Sequence, residues 1–351
     1  MRIKKIMPVT TIMTLLILGC QANDQTTQPQ PPPHHTEPLA PAIDFIQKSP
    51  LAFDQIIQPG DRILFVGDQL TQYRFYTRAV ASALLRIMPD ADLRFFNGGY
   101  AGATAASTID WIYDLIELTR PTVIFVCLGL NDVMNFPGPQ TSAKQYRQDL
   151  NNLIGQIQPH ARQLVIISAP AVDTGIHNLT VDRENTKLHK MAIASQQIAQ
   201  HHQVGFVDSF IPMRLAHLSA NRKGQDHGDL SINQRLLNEM GHVVLASTIL
   251  YGIGVTAEQL GPAGWSPLLP RDMRHVRGIL GLRIGVPNLP TATRSRDLYL
   301  SIIRFDEIFF EAWRLAPRMT VGPTRTELIA KSEGVWDRVR ALTSPYAAAH
   351  K

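Results

Sequence analysis

The stretch that decides the fold is TVIFVCL, residues 122–128, which follows the dipeptide Arg120-Pro121. Thr122 is followed there by six apolar residues in a row, without the alternation of apolar and polar residues that a half-exposed strand shows. A continuous apolar run of this length predicts a strand of a parallel sheet that is buried on both faces. We therefore expect an α/β protein with helices on both sides of its sheet.

Four more short apolar runs flank this strand, and helical patterns separate them. The further strands are predicted at residues 62–66, 92–96, 163–168 and 204–208. Apolar residues at helical spacing predict helices at 72–88, 107–118, 143–157, 181–202 and 238–251. This alternation predicts a flavodoxin-like three-layer α/β/α sandwich with a five-stranded parallel sheet. Ligands bind such sheets at the carboxyl ends of the strands.

Composition excludes several classes of protein. With 44% hydrophobic and 18% charged residues, the chain is neither disordered nor fibrous. Two cysteines cannot build a disulfide scaffold. The pI of about 9.3 invites a nucleic-acid partner, but a net charge of +5 over 351 residues is too thin an excess to indicate one.

The amino-terminal residues predict export. Residues 1–19 begin with Arg2, Lys4 and Lys5, continue through an apolar stretch too short to indicate a membrane-spanning helix, and end before Cys20. This pattern predicts a signal peptide, and its ending resembles the lipobox of bacterial lipoproteins, which implies that Cys20 carries a diacylglycerol anchor. The alternative is a plain signal peptide with an incidental cysteine. Gln21, in place of an aspartate, favours the periplasmic side of the outer membrane.

The rest of the chain divides into three predicted parts. Residues 20–45 are polar and proline-rich, which is typical of an extended tether. Residues 46–255 hold the sheet and its helices, and residues 256–351 form a helical extension with helical patterns at 271–282, 297–315 and 326–342. Residues 271–351 carry 14 basic and 8 acidic groups, whereas residues 20–270 carry 17 basic and 21 acidic groups. These opposite net charges favour docking of the extension on the sheet domain. They also permit a basic surface that meets anionic glycans or lipid headgroups, or a solvated helix face with scattered arginines.

Polar blocks follow the predicted strands and open the last helix. They are Gly67-Asp68-Gln69-Leu70-Thr71, Asn97-Gly98-Gly99-Tyr100-Ala101-Gly102, Gly129-Leu130-Asn131-Asp132, Ser168-Ala169-Pro170 and Leu237-Asn238-Glu239-Met240-Gly241-His242. Each block alone is weak, but in this order they resemble the SGNH (GDSL) hydrolase family over residues 60–252. The resemblance implies a serine esterase, with a nucleophilic serine in the first block and an Asp-x-x-His pair in the last. It also implies that Gly99 and Asn131 belong to the oxyanion hole and that Asp68 braces the first turn.

The positions of the catalytic triad depart from the family pattern. Gln69 stands at the serine position, Asn233 at the aspartate position and Leu236 at the histidine position. Gln69 has no nucleophilic oxygen, Leu236 has no basic nitrogen and Asn233 has no charge to orient a base. The sequence therefore predicts that serine-esterase activity is lost while the oxyanion residues remain. It leaves open whether the protein is an enzyme of another kind.

Two residues near the last block could replace the missing catalytic groups. His227 and Asp229 lie just upstream of the last block, although using them as the catalytic turn requires a seven-residue insertion. Together with Asp68 and Asp132 they could also gather around a metal ion, but the family carries those two aspartates without any metal. We expect no metal and no other cofactor. His242 matches a structural histidine of the family.

The function predicted from these residues is binding rather than catalysis. We expect a degenerate SGNH-type lipoprotein of the bacterial envelope that is anchored to the membrane through Cys20 and binds an acylated or carbohydrate ligand, or a protein partner. An active ester hydrolase or O-acetyltransferase on acetylated glycans, using non-standard residues, is the alternative. A purely structural role through lipid and extension is the third possibility, and no nucleic-acid partner is expected.

Overall fold

The computed structural model describes residues 46–135, 139–174, 179–222, 230–256, 259, 289–315 and 322–347. Its centre is a parallel sheet of five strands in the order β2-β1-β3-β4-β5. The strands are β1 (Arg62–Gly67), β2 (Arg94–Gly99), β3 (Val123–Cys127), β4 (Gln163–Ile167) and β5 (Gly205–Val207). The predicted signal peptide, lipidation site Cys20 and tether lie outside the described residues.

Helices connect these strands and continue beyond the last one. They are α1 (Phe53–Ile56), α2 (Gln69–Gln72), α3 (Phe75–Ile87), α4 (Ile109–Thr119), α5 (Leu130–Asn135), α6 (Pro139–Ile157), α7 (Leu179–His202), α8 (Phe210–Arg222), α9 (Glu239–Gly252), α10 (Leu289–Phe310) and α11 (Arg325–Ala347). A short 3₁₀ turn (Gln158–His160) follows α6, and a π-helical turn (Glu311–Leu315) follows α10.

The stretch at residues 122–128 is the buried strand that its sequence predicts. All five residues of β3 are buried, and because successive side chains of a strand point to opposite faces, both faces of the sheet are covered. This confirms the α/β fold class with a five-stranded parallel sheet. Within the core, the rings of Phe65 on β1 and Phe125 on β3 stack with their centroids 5.1 Å apart.

The strand order shows where a ligand site is expected in this sheet. The chain runs outward from β1 to β2 and then returns past β1 to β3, so the direction of winding reverses between β1 and β3. These two strands pair with Gly67 opposite Cys127. The residues that follow them, from Asp68 and from Leu128 onward, therefore emerge side by side at the carboxyl edge.

Two local features differ from the sequence prediction. The helix predicted at 72–88 is two helices, α2 and α3, because Arg74 takes a left-handed conformation with φ of 67° and interrupts it. The strand predicted to begin at residue 92 begins at Arg94, since Asp92 also has a positive φ, of 45°. In addition, helix α8 was not predicted.

The carboxyl-terminal helices α10 and α11 pack on the β2 side of the sheet. Phe305 of α10 lies 6.0 Å from Phe96, and Trp336 of α11 lies 6.4 Å from Phe95, measured between ring centroids. Phe305 and Trp336 also contact each other edge to face at 4.6 Å. All four of these rings are buried, so an aromatic core joins the helices to the sheet domain.

Ion pairs lie around this aromatic core. The basic partner belongs to the sheet domain in some pairs and to the extension in another. Arg78 and Arg94 of the sheet domain bind Asp306 and Glu333 of the extension at 2.7 and 2.6 Å. In the opposite direction, Arg325 of the extension binds Asp114 at 2.6 Å. The opposite net charges of the two segments therefore do not by themselves describe how the extension docks.

The helix predicted at 271–282 and the connection before it lie outside the described residues. Within the described part of the chain, none of the helices combines the length and the apolar character needed to cross a membrane.

Candidate functional site

The turn after β1 is built by close packing around Gly67. A Cβ atom at Gly67 would lie 2.1 Å from Thr71 Oγ1 and 2.6 Å from the carbonyl oxygen of Cys127, so only glycine fits. Asp68 then caps α2, because its Oδ1 accepts a hydrogen bond from the backbone N–H of Leu70 at 2.9 Å. This places Gln69 as the first residue of α2, half-buried at the carboxyl edge of the sheet.

Gln69 and Asn131 are brought into direct contact. Asn131 Nδ2 donates to Gln69 Oε1 at 2.8 Å and to the carbonyl oxygen of Ala103 at 2.9 Å. Both N–H groups of this amide are therefore used inside the protein. The side-chain carbonyl of Gln69, at the nucleophile position, thus accepts from an N–H group of Asn131. The family resemblance implies that this N–H group would bind an oxygen of the substrate. The Nε2 group of Gln69 makes no hydrogen bond to any of the described residues.

Gly99 lies against the same short helix. A Cβ atom at Gly99 would lie 2.1 Å from the backbone nitrogen of Gln72, so this position also excludes a side chain. The Gly99 N–H donates to Asn97 Oδ1 at 3.0 Å, while Asn97 Nδ2 donates to the carbonyl oxygen of Thr71 at 2.8 Å and to Thr77 Oγ1 at 2.9 Å. Asn97 therefore ties β2 to α2 and α3, a role that the sequence analysis did not assign to it.

Two buried carboxyl groups support the site. The pKa of Asp68 is raised to about 7, mainly by burial and also by the nearby Asp132, while the hydrogen bond from the Leu70 N–H opposes the shift. Burial likewise raises the pKa of Asp132 to about 7, opposed by the N–H of Ala105, which donates to both carboxyl oxygens at 3.1 and 3.3 Å. Each group is thus partly protonated near neutral pH, and each braces a turn of the backbone.

His242 of α9 is buried against aromatic residues of α3. Its ring stacks on Tyr76 at 6.1 Å, and the Tyr76 hydroxyl is hydrogen-bonded to Thr71 Oγ1 at 2.7 Å. Both ring nitrogens are buried, and neither has a hydrogen-bond partner within the described residues. Burial lowers the pKa of His242 to about 3, so the imidazole is neutral at physiological pH.

The remaining two triad positions lie in the turn before α9. Asn233 is exposed, and its Oδ1 accepts from the backbone N–H of Leu236 at 2.9 Å. Leu236 is half-buried and packs against the hydrophobic core. Arg235 between them binds Glu184 at 2.7 Å, and the carbonyl of Gln234 accepts from the N–H of Asp173 at 2.7 Å. The turn is therefore held by backbone and charge contacts rather than by a catalytic pair.

A buried cluster that the sequence analysis missed lies next to this turn. His217 Nδ1 is 3.9 Å from Asp173 Oδ2, and Ser231 Oγ donates to the same carboxyl oxygen at 3.4 Å. Burial lowers the pKa of His217 to about 4, although Asp173 opposes the shift. A serine hydrolase needs its serine on the imidazole, whereas here the serine is bound to the carboxylate. Asp173 follows β4 by six residues, which is the only signal that could have indicated it.

The structure does not test the predicted rescue residues. His227 and Asp229 lie outside the described residues. Among the residues that are described, no group of three or more His, Cys, Asp and Glu side chains is arranged to hold a metal ion. Cys127 is a buried free thiol whose pKa burial raises well above its usual range.

The extension reaches the loop that follows Gly99. The ring of Tyr100 stacks on Trp111 at 5.5 Å, and the guanidinium carbon of Arg314 lies 3.5 Å from the centre of the Tyr100 ring. Trp313 lies 5.7 Å from Trp111. The π-helical turn therefore packs against the start of the loop that contains Ala103. The carbonyl oxygen of Ala103 accepts a hydrogen bond from Asn131.

One family model matches the chain. The model of the GDSL-like lipase/acylhydrolase family covers residues 60–238, which include β1 to β5 and all three triad positions. No functionally curated protein matches.

Solved structures match the fold. A gut microbial diltiazem-metabolizing enzyme is 23% identical with a TM-score of 0.50, and the match covers 57% of this chain and 49% of that enzyme. The chain thus spans about half the length of that relative. A catalytic mutant of an acetylxylan esterase from Geobacillus stearothermophilus is 20% identical with a TM-score of 0.48, over 57% of this chain and 97% of that one.

Proposed function

The chain belongs to the GDSL-like lipase/acylhydrolase family, and from this premise we propose that it has lost serine-esterase chemistry and retains its site for binding an acylated carbohydrate of the bacterial envelope. One observation carries the proposal. The amide of Asn131, an oxyanion donor in the family, is engaged at 2.8 Å by the side chain of Gln69, which stands where the nucleophilic serine would be.

Loss of hydrolysis follows from the chemistry of the three triad positions. A carboxamide at residue 69 cannot form an acyl-enzyme, and no imidazole stands at residue 236 to take a proton. The buried Asp173–His217 pair does not replace it, because its serine, Ser231, contacts the carboxylate. Replacing one member of such a unit lowers activity strongly, and here all three are replaced.

Binding is supported by the polar groups at this edge, although both N–H groups of Asn131 are already used within the protein. The Gln69–Asn131 contact is itself a carbonyl oxygen held by the asparagine amide, which is the interaction that an acyl carbonyl would make. The Nε2 group of Gln69 adds two N–H donors at the same edge. Acyl carbonyls and sugar hydroxyls are both acceptors, so an acylated carbohydrate fits the chemistry of this edge.

The binding test uses an O-acetylated xylooligosaccharide and its deacetylated counterpart in calorimetric titrations of the full chain in detergent. Gln69→Glu is the sharpest variant, since it keeps the oxygen that accepts from Asn131 but removes both N–H donors. We expect the acetylated probe to bind more tightly than the deacetylated one, and Gln69→Glu to weaken it about tenfold. The exposed change Asn151→Ala on α6 serves as the matched control.

Two results would overturn this proposal. Binding that neither Gln69→Glu nor Asn131→Ala weakens would place the ligand elsewhere. Turnover of the acetylated probe during the titration would support the alternative, an ester hydrolase or O-acetyltransferase that uses non-standard residues.

Attachment to the envelope is the second part of the proposal. Lipidation of Cys20 would hold the sheet domain to the membrane through residues 20–45, on the periplasmic side of the outer membrane. In a bacterial host, wild-type protein should incorporate labelled palmitate and sediment with outer membranes. Cys20→Ser should abolish the label and release the protein, whereas label retained in Cys20→Ser would contradict lipidation at this residue.

A further inference from the structure

A polar cavity lies at the edge of the sheet opposite the carboxyl ends of the strands. Its volume is about 670 Å³, a size typical of sites for small ligands. The lining residues are Arg62, Asp114, Glu117, Leu118, Arg120 and Arg325. They come from the start of β1, the end of α4 and the start of α11. The cavity therefore lies at the amino ends of the strands, where the sheet domain meets the extension.

Arg62 is held in a fixed orientation at this cavity. Its Nε donates to the carbonyl oxygen of Thr119 at 2.7 Å, and its guanidinium carbon lies 4.9 Å from the centre of the Phe96 ring. The two terminal nitrogens make no hydrogen bond within the described residues. A guanidinium that is fixed at one nitrogen and free at its fork is preorganised for an oxyanion.

Positive charge is concentrated around Arg62. Burial lowers the pKa of Arg62, and the neighbouring Arg94 and Arg120 lower it further, while Glu333 raises it. Arg94 is compensated by a bidentate pair with Glu333 at 2.9 and 2.6 Å, and Arg325 by a bidentate pair with Asp114 at 3.0 and 2.6 Å. Neither Arg62 nor Arg120 has an ion-pair partner among the described residues. Two arginines without an ion-pair partner at a cavity favour an anion.

The acidic residues of the lining indicate the rest of the ligand. Glu117 is exposed, and it makes no ion pair within the described part of the chain. A carboxylate accepts hydrogen bonds from hydroxyl groups, whereas it would repel a bare anion placed beside it. A ligand that brings an oxyanion to Arg62 and Arg120 and hydroxyls to Glu117 satisfies both kinds of group. A phosphate, with a charge between −1 and −2 near neutral pH, matches two arginines better than a carboxylate does.

We propose that this cavity binds a sugar phosphate, with the phosphate on Arg62 and Arg120 and the sugar hydroxyls on Glu117. The site is separate from the carboxyl edge, so it does not depend on the fate of the esterase chemistry. It also lies at the junction with the extension, so a bound ligand would contact both parts of the chain.

The test is calorimetric titration of the full chain at low ionic strength with glucose 6-phosphate, glucose, inorganic phosphate and glucuronate. We expect glucose 6-phosphate to bind at one site per chain, inorganic phosphate to bind more weakly and glucose not to bind. Binding should weaken as salt is added, because the interaction is charge-assisted.

Three variants assign the binding to the cavity. Arg62→Lys keeps the charge but removes the fork, and Arg120→Asn removes the charge at a residue whose φ of 44° asparagine tolerates. Each should weaken glucose 6-phosphate at least tenfold, while Arg147→Gln, an exposed change on α6, should not. Thermal denaturation of the variants checks that the fold is kept.

Other outcomes would overturn the proposal. No binding of glucose 6-phosphate at millimolar concentration would do so, as would binding that survives both Arg62→Lys and Arg120→Asn in folded protein. Tighter binding of glucuronate than of glucose 6-phosphate would reject the assignment of a phosphate.

Discussion

The turn after β1 and the turn before α9 carry the two halves of the family's catalytic machinery, and they differ in how their residues are held. Around α2, Gly67 and Gly99 leave no space for a side chain, and Asn97 binds three different groups. Before α9, Asn233 is exposed and Leu236 is only half-buried.

This difference explains which residues have kept the family pattern. Asp68, Gly99, Asn131 and Asp132 take part in packing or in hydrogen bonds within the protein, so replacing any of them would cost stability whether or not a substrate is present. A serine, aspartate and histidine at residues 69, 233 and 236 would act mainly on a substrate. On the proposed function, their replacement would remove the esterase chemistry with little effect on the fold.

The largest expected effect is at Gly99. Gly99→Ala should prevent folding or lower the free energy of unfolding by more than about 4 kcal/mol, because the new Cβ meets backbone atoms of α2 that cannot move independently. Urea denaturation measures it. Gly334→Ala is the matched control, since that helical glycine has open space and should gain about 0.5–1 kcal/mol. A tolerated Gly99→Ala would contradict the packing described for this turn.

Asn97 and Asn233 give the second contrast. Asn97→Ala should cost about 2–4 kcal/mol, because it leaves the buried Gly99 N–H without its side-chain acceptor and removes the amide that donates to the Thr71 carbonyl and the Thr77 hydroxyl. Asn233→Ala removes only an exposed turn contact and should cost less than about 1 kcal/mol. Equal losses in the two variants would remove the distinction between the two turns.

Asp132 should make stability depend on pH. Its pKa in the folded protein is about 7, above the ordinary value, so its contribution to stability is full below about pH 4 and declines as the pH rises to 7. Asp132→Asn should therefore be more stable relative to wild type at pH 8 than at pH 4.5, by about 1 kcal/mol or more. Denaturation curves at both pH values measure this, and a difference that does not change with pH would contradict the raised pKa.

His242 should make stability depend on pH in the opposite direction, with a smaller effect than Asp132. Its pKa is lowered to about 3, so its contribution is full above about pH 6.5 and is lost as the pH falls towards 3. His242→Phe keeps the stacking on Tyr76 and removes the titrating group. We expect it to raise the melting temperature at pH 4.5 by a few degrees more than at pH 8. A variant that melts earlier than wild type at both pH values would show that the ring nitrogens have partners.

The sheet could be predicted from the sequence because each strand is a short apolar run, and burial on both faces leaves that pattern plain. Helix α8 (Phe210–Arg222) could not, since only some of its residues are apolar and Pro212 interrupts the pattern. The break at Arg74 was also missed, because the spacing of apolar residues continues through a residue with positive φ.

At the site, the family blocks predicted that Gln69 and Asn131 follow neighbouring strands, but not that their side chains bind each other. That Gln69 binds Asn131 depends on the rotamers of two side chains that are 62 residues apart in the chain. The stacking of His242 on Tyr76 and the contact of Asp173 with His217 depend on how α9 and α8 pack. None of these contacts is encoded in local spacing.

The most direct measurement of the central claim is ester hydrolysis by the wild-type chain and by the triple variant Gln69→Ser, Asn233→Asp, Leu236→His. The assay uses p-nitrophenyl acetate and a serine-reactive fluorophosphonate, with Gln69→Ala as the reference. We expect neither turnover nor labelling of the wild-type chain above the level of Gln69→Ala, and we expect both in the triple variant. Turnover by the wild-type chain that Asn131→Ala abolishes would contradict the central claim.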